Sequence, residues 1–180
     1  MKIKLFVCIG LAVVSGAWAD TFTWKGTSGG SWNDAANWKE NAVPDASGAE
    51  VDFSAASGTY AVNVASAVTV GKIVLNPSAS ASLTLSGEKI TFAAADTPEV
   101  EVGANGTLFL QNATGGTQGL RKTGVGTYRP KTLPAGSSYT GRTYVDEGVM
   151  FPVKDSSYGT FGGSVEVAPG ATFKWPGWTT

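Results

Sequence analysis

Three tryptophans, Trp24, Trp32 and Trp38, fall within fifteen residues and are interleaved with Asn33, Asp34 and Asn37. Indole faces flanked by side-chain amides and carboxylates suit stacking on a sugar ring, with hydrogen bonds to its hydroxyls. Trp24, Trp32, Asn33, Asp34, Asn37 and Trp38 therefore form the candidate ligand-binding set, with carbohydrate as the ligand. The same rings have a competing use. A fold built of stacked repeats exposes its core at the first rung unless large side chains cover it, and that capping role is the preferred reading. Trp175 and Trp178, beside Pro176 and Gly177, are expected to close or fray the other end.

Paired carboxylates offer a second chemistry. Glycoside hydrolysis needs two acids roughly 5 to 10 Å apart astride one bond. Glu99 and Glu101 are two residues apart in an alternating run, so they share a face of a strand, while Asp146-Glu147 lies in a turn. No cleft motif surrounds either pair, and both read as solvated surface; no catalytic residue is assigned. The enzyme these residues come nearest to is a polysaccharide lyase, for which Arg121, Lys122, Arg129, Lys131 and Arg142 supply bases near Asp146-Glu147. No Asp-x-Asp ladder or glycine-rich calcium repeat accompanies them. They are read instead as turn and edge positions, where cations discourage edge-to-edge pairing.

Composition excludes more than it admits. Histidine is absent, which removes the usual acid/base of neutral pH, the Ser-His pair and nearly every zinc, copper or iron site. No metal or cofactor is assigned. Apart from the adjacent Arg121-Lys122, the 13 basic residues are scattered singly, which argues against nucleic acid, whose phosphates need clustered Lys and Arg. Glycine, at 24 of 180 residues, is about twice its ordinary share, and charged residues at 15% fall well short of theirs.

The N-terminus divides into a basic start (Lys2, Lys4), an apolar run from Leu5 to Val14, and the small-residue ending Ala17-Trp18-Ala19. This is the pattern of a cleavable export signal over residues 1–19, with cleavage before Asp20. The run is too short to span a bilayer, and no later stretch is long enough. Cleavage would remove the only cysteine, Cys8, together with Lys2 and Lys4, leaving 11 basic against 14 acidic side chains. The expected destination is the periplasm, the outer-membrane surface or the exterior.

Behind these residues the chain reads as all-β. Alternating runs bounded by Gly, Asn, Pro or Ser recur from Phe22–Trp24 to Val165–Val167, and the one helix-like piece is a capping-box pattern starting at Ser31 that opens a turn through Ala35-Ala36-Asn37. Residues 100–110 align with 165–175 as apolar-x-apolar, a small-residue turn and a second strand, and weaker copies begin at Val68 and Leu83. Such repetition predicts a solenoid. Asn105-Gly106 between alternating apolars is equally a hairpin signal, and short alternating strands fit an antiparallel β-sandwich as well.

Gly119-Leu120-Arg121-Lys122-Thr123-Gly124-Val125-Gly126-Thr127-Tyr128, followed by Tyr139-Thr140-Gly141-Arg142-Thr143-Tyr144-Val145 and Gly148, resembles the autotransporter-associated β-strand repeat, with the best match over 119–153. The Trp-rich segment 20–53 is similar to the stretch that follows the signal in such proteins. The resemblance implies a right-handed parallel β-helix over 54–180 in a surface or adhesive protein, meeting cell-surface or host glycans and proteins, with end-to-end self-association through an open last rung. Pro130 and Pro152 depart from the repeat, since each places a ring where a ladder N–H belongs; the strand at Tyr128-Arg129-Pro130 is expected to be short or at an edge. Nothing in the sequence reads as the C-terminal barrel of eight or more strands that self-translocation needs. Export across the inner membrane without self-translocation is the expectation.

Overall fold

The computed structural model describes residues 20–131, 137–153 and 163–175. The expected signal over 1–19, and Pro176, Gly177 and Trp178 at the other end, lie outside the described residues. The chain runs through β1 (Thr21–Thr23), β2 (Gly30–Ser31), a single 3-10 turn (Ala35–Asn37), β3 (Glu50–Asp52), β4 (Gly58–Val64), β5 (Val68–Val70), β6 (Lys72–Leu75), β7 (Ala81–Gly87), β8 (Ile90–Phe92) and β9 (Glu99–Val102). It continues with β10 (Gly106–Leu110), β11 (Thr114–Gly116), β12 (Leu120–Thr123), β13 (Thr127–Pro130), β14 (Ser138–Tyr139), β15 (Thr143–Val145), β16 (Val149–Met150), β17 (Val165–Val167) and β18 (Thr172–Phe173). Among the described residues no helix is long and apolar enough to cross a membrane.

These strands form three sheets. The first holds β1, β3, β6, β9, β12, β15 and β17, the second β2, β4, β7, β10, β13, β16 and β18, and the third β5, β8, β11 and β14. Successive strands visit the sheets in turn, so the chain winds into a three-sided parallel β-solenoid of about five turns. The antiparallel sandwich is excluded, because every pairing between named strands is parallel.

The alternation sets the interior. In the first sheet Val51, Ile73, Val100, Lys122 and Val145 stack in register, and in the second Leu83, Leu108, Tyr128 and Met150 do the same. None of these is more than 1% exposed. Each buried aliphatic contributes about 1.5 to 3 kcal/mol, and parallel in-register pairing places one directly beneath the next. The corners admit little bulk. Gly124 (φ +70°) and Gly148 (φ +64°) hold left-handed conformations, and a Cβ on Gly124 would strike the Val102 carbonyl oxygen.

Three local expectations change. The apolar-x-apolar unit describes a corner, and a three-sided coil has three kinds. The copies at Val100 and Val165 both turn from the first sheet into the second, while those at Val68 and Leu83 turn from third to first and from second to third. Asn105-Gly106 makes no hairpin: the Gly106 N–H donates to the Gly103 carbonyl at 2.9 Å, and the strands on either side enter different sheets. A type I′ hairpin turn needs φ > 0 at both central residues, and Asn105 does not adopt it. Finally, β13 is short and ends on Pro130, as expected, but it lies inside its sheet between β10 and β16. Phe151 and Val153 donate to the carbonyls of Tyr128 and Pro130 at 2.9 and 2.8 Å, so the missing N–H removes one bond towards the next rung and leaves the others.

Candidate functional site

The six residues of the candidate carbohydrate set do come together, over the N-terminal rung. Trp38 meets Trp24 edge-on at 5.0 Å and Trp32 at 5.2 Å between ring centroids, and Phe53 packs against all three at 5.6 to 5.7 Å. Such pairs add about 0.5 to 1.5 kcal/mol each beyond burial. The indoles are 0 to 1% exposed. Their N–H groups are spent inside: Trp24 Nε1 donates to the Tyr60 hydroxyl at 3.0 Å, Trp32 Nε1 to the Pro44 carbonyl at 3.0 Å, and Trp38 Nε1 to the Trp32 carbonyl at 2.7 Å. A sugar stacks on an open ring face, and these faces lie against one another.

The polar members serve the backbone. Asn33 Oδ1 accepts the N–H groups of Ala65 and Ser66 at 2.8 and 3.0 Å, and Asn37 Nδ2 donates to the Ser31 carbonyl at 2.8 Å. Asp34, rather than Ser31, caps the 3-10 turn by accepting from the Ala36 N–H at 2.9 Å. The turn is too short for Ser31 to reach a third helical N–H, and its Oγ takes the Asn33 N–H instead. Residues 37–40 then double back along β1. Trp24 and Trp38 form an antiparallel bridge, Lys39 N–H donates to the Thr23 carbonyl at 2.9 Å, and the Glu40 carboxylate accepts the Thr23 N–H at 2.9 Å. This lid closes both the core and the exposed edge of the first rung.

The carboxylate and base groups sort by sheet. Glu50, Lys72, Glu99, Arg121, Tyr144 and Glu166 form one outward column of the first sheet, each opposite the next. Glu99 and Glu101 do share a face, and Lys72 Nζ lies between them at 3.6 and 2.8 Å. Burial pulls the Lys72 pKa down, but the Glu101 hydrogen bond and the neighbouring carboxylates outweigh it, and the net shift is upward. Arg121 pairs with Asp146, and Arg142 with Glu166 at 3.1 Å. A groove of about 610 Å³ runs beside the column, between corner residues 46–49 and 94–97, with Glu50, Lys72 and Glu99 in its wall.

Lys122, read from sequence as a turn or edge cation, is a core residue. It is 1% exposed, and its ammonium donates to the carbonyls of Thr123, Gly124 and Glu147 at 2.6, 2.5 and 3.1 Å. Burial pushes its pKa down to about 8 against the upward pull of Glu147 and Glu101. The signal for this was present: Leu120 and Lys122 are in phase, so one strand faces both inward. Arg129 and Lys131 stand away from Asp146-Glu147, on the second sheet side.

No family model, curated protein or solved structure matches the chain. Its class is defined by its architecture: a three-sided parallel β-solenoid with a sealed first rung and paired charges on its first face.

Proposed function

We propose that this protein is an exported β-solenoid, serving as a structural stalk or adhesive surface module of a bacterial envelope. The observation that carries this reading is the unbroken parallel ladder through the first two sheets. Backbone pairing repeated in this way makes a stiff rod whose outer columns are regularly spaced, which suits holding and displaying a surface. The signal-like pattern over 1–19 supports export, and the resemblance of 119–153 to autotransporter-associated repeats supports a place at the cell surface.

The test is expression in a Gram-negative host, followed by fractionation and N-terminal sequencing. A soluble exported product beginning at Asp20 is expected, with a β-type circular dichroism spectrum. A product that keeps Met1–Ala19 and stays in the cytoplasm refutes export.

A further inference from the structure

The outward column of the second sheet differs in kind from that of the first. None of the strands β2, β4, β7, β10, β13, β16 and β18 contains Asp or Glu. The first-sheet strands carry Glu50, Asp52, Glu99, Glu101 and Glu166. Among the strands, acid is thus confined to the first sheet, and the second sheet presents hydroxyls, rings and a cation.

At the centre of that side Arg129 lies between two phenylalanines. Its guanidinium carbon is 4.8 Å from the ring centroid of Phe109 on one rung and 4.8 Å from that of Phe151 on the next. Of the chain's arginines, Arg121 and Arg142 have carboxylate partners, and Arg129 has no carboxylate within ion-pair distance among the described residues. Its Nε is buried without a hydrogen-bond partner. The side chain keeps partial exposure. Thr107 and Thr127 stand opposite each other in the neighbouring outward column.

We propose that this strip of Phe109, Arg129, Phe151, Thr107 and Thr127 binds an extended acidic polysaccharide, laid along the solenoid axis with a sugar carboxylate on Arg129. The proposal rests on the adhesive reading and gives that surface its ligand. A planar guanidinium presents a fork that matches a carboxylate, and the flanking rings hold it in place, so little rotamer freedom is lost on binding. The ring faces that Phe109 and Phe151 turn to each other are taken by the guanidinium, so the rings hold the cation while the threonine hydroxyls meet sugar hydroxyls. Rungs about 4.8 Å apart set Phe109, Arg129 and Phe151 at successive positions along the axis. The absence of acid from these strands removes the repulsion that the first sheet would exert on a polyanion. Stacked rings and arginine also suit single-stranded nucleic acid, and an oligothymidylate arm in the test decides between the two.

The test is native electrophoresis of the purified protein through gels containing polygalacturonate, neutral dextran or oligothymidylate, with circular dichroism of every sample. Retardation by polygalacturonate alone is expected, weakening with added salt. Arg129→Gln should reduce that affinity about tenfold, the scale of one charged hydrogen-bonded contact, and Glu166→Gln should leave it unchanged. The proposal is overturned by equal retardation of Arg129→Gln and the unaltered protein, each measured against its own mobility in a gel without polymer, by equal retardation in dextran, or by stronger retardation in oligothymidylate. A β-type, exported protein that polygalacturonate does not retard overturns the ligand while leaving the structural reading standing.

Discussion

Burial of Lys122 should make the stability of this solenoid rise in mildly alkaline solution. In the unfolded chain its ammonium titrates near 10.5, and in the fold near 8, because burial disfavours the charged form. Below about pH 8 both states hold the proton, and the full penalty of a buried charge weighs on the fold. Between 8 and 10.5 the unfolded state binds more protons than the native one, so stability increases with pH. One pH unit of separation corresponds to about 1.36 kcal/mol, so the whole window is worth about 3 kcal/mol. Burial raises the pKa of Tyr128 and Tyr139. Above about pH 10 the unfolded chain gives up those phenolic protons first, and stability falls again. Urea unfolding followed by tryptophan emission at pH 7, 8, 9 and 10 should show the midpoint climbing. Lys122→Met keeps the bulk and removes the titration, so its profile should be flat. It also removes the buried-charge penalty and leaves three carbonyls without a donor, at about 1 to 3 kcal/mol; these opposing changes set the level of its curve, and the slope alone tests the titration. A midpoint in the unaltered protein that stays level or falls from pH 7 to 10, or an equal rise in Lys122→Met, would refute the reasoning.

Trp38→Ala should cost about 3 to 5 kcal/mol in the same urea assay, because the ring touches Trp24, Trp32, Phe22 and Phe53 and its loss opens the first rung. Gly148→Ala, at φ +64° and with its new Cβ 2.5 Å from the Gly126 carbonyl oxygen, should destabilise by at least about 1 kcal/mol; an unchanged melting temperature would show that the corner relaxes freely. Glu101→Gln removes a partly exposed ion pair with Lys72 and should change stability by less than about 1 kcal/mol. Acrylamide should quench only part of the tryptophan emission, since Trp24, Trp32 and Trp38 are enclosed while Trp175 is 41% exposed.

Period-two alternation was enough to place the strands and, with the recurring unit, to predict stacked rungs. Two stages of the geometry stayed hidden. Corner chemistry is similar at all three edges of the coil, so Val68, Leu83 and Val100 looked like copies of one repeat when they begin different corners. Asn105-Gly106 looked like a hairpin because the dipeptide encodes a reversal, and only the partners of the flanking strands decide whether the turn joins one sheet or two. The tryptophan cluster was legible as a cap, and its polar neighbours turned out to fasten that cap. Lys122 was misplaced because charge was weighed ahead of phase. Arg129 was grouped with bases near Asp146 by sequence distance, whereas the winding of the coil sets them on separate sides.

The lid over β1 gives the molecule a direction. A parallel ladder is a template, and each bare edge can accept a further strand from any chain. At this end Thr23 has committed its N–H and carbonyl, Lys25 its N–H, and Ser31 of β2 its carbonyl, all to residues 34–40. Strand pairing by a second copy is blocked at these groups. A ladder lengthened from the β17 and β18 side would be polar, without the two-fold symmetry that a head-to-head join would create.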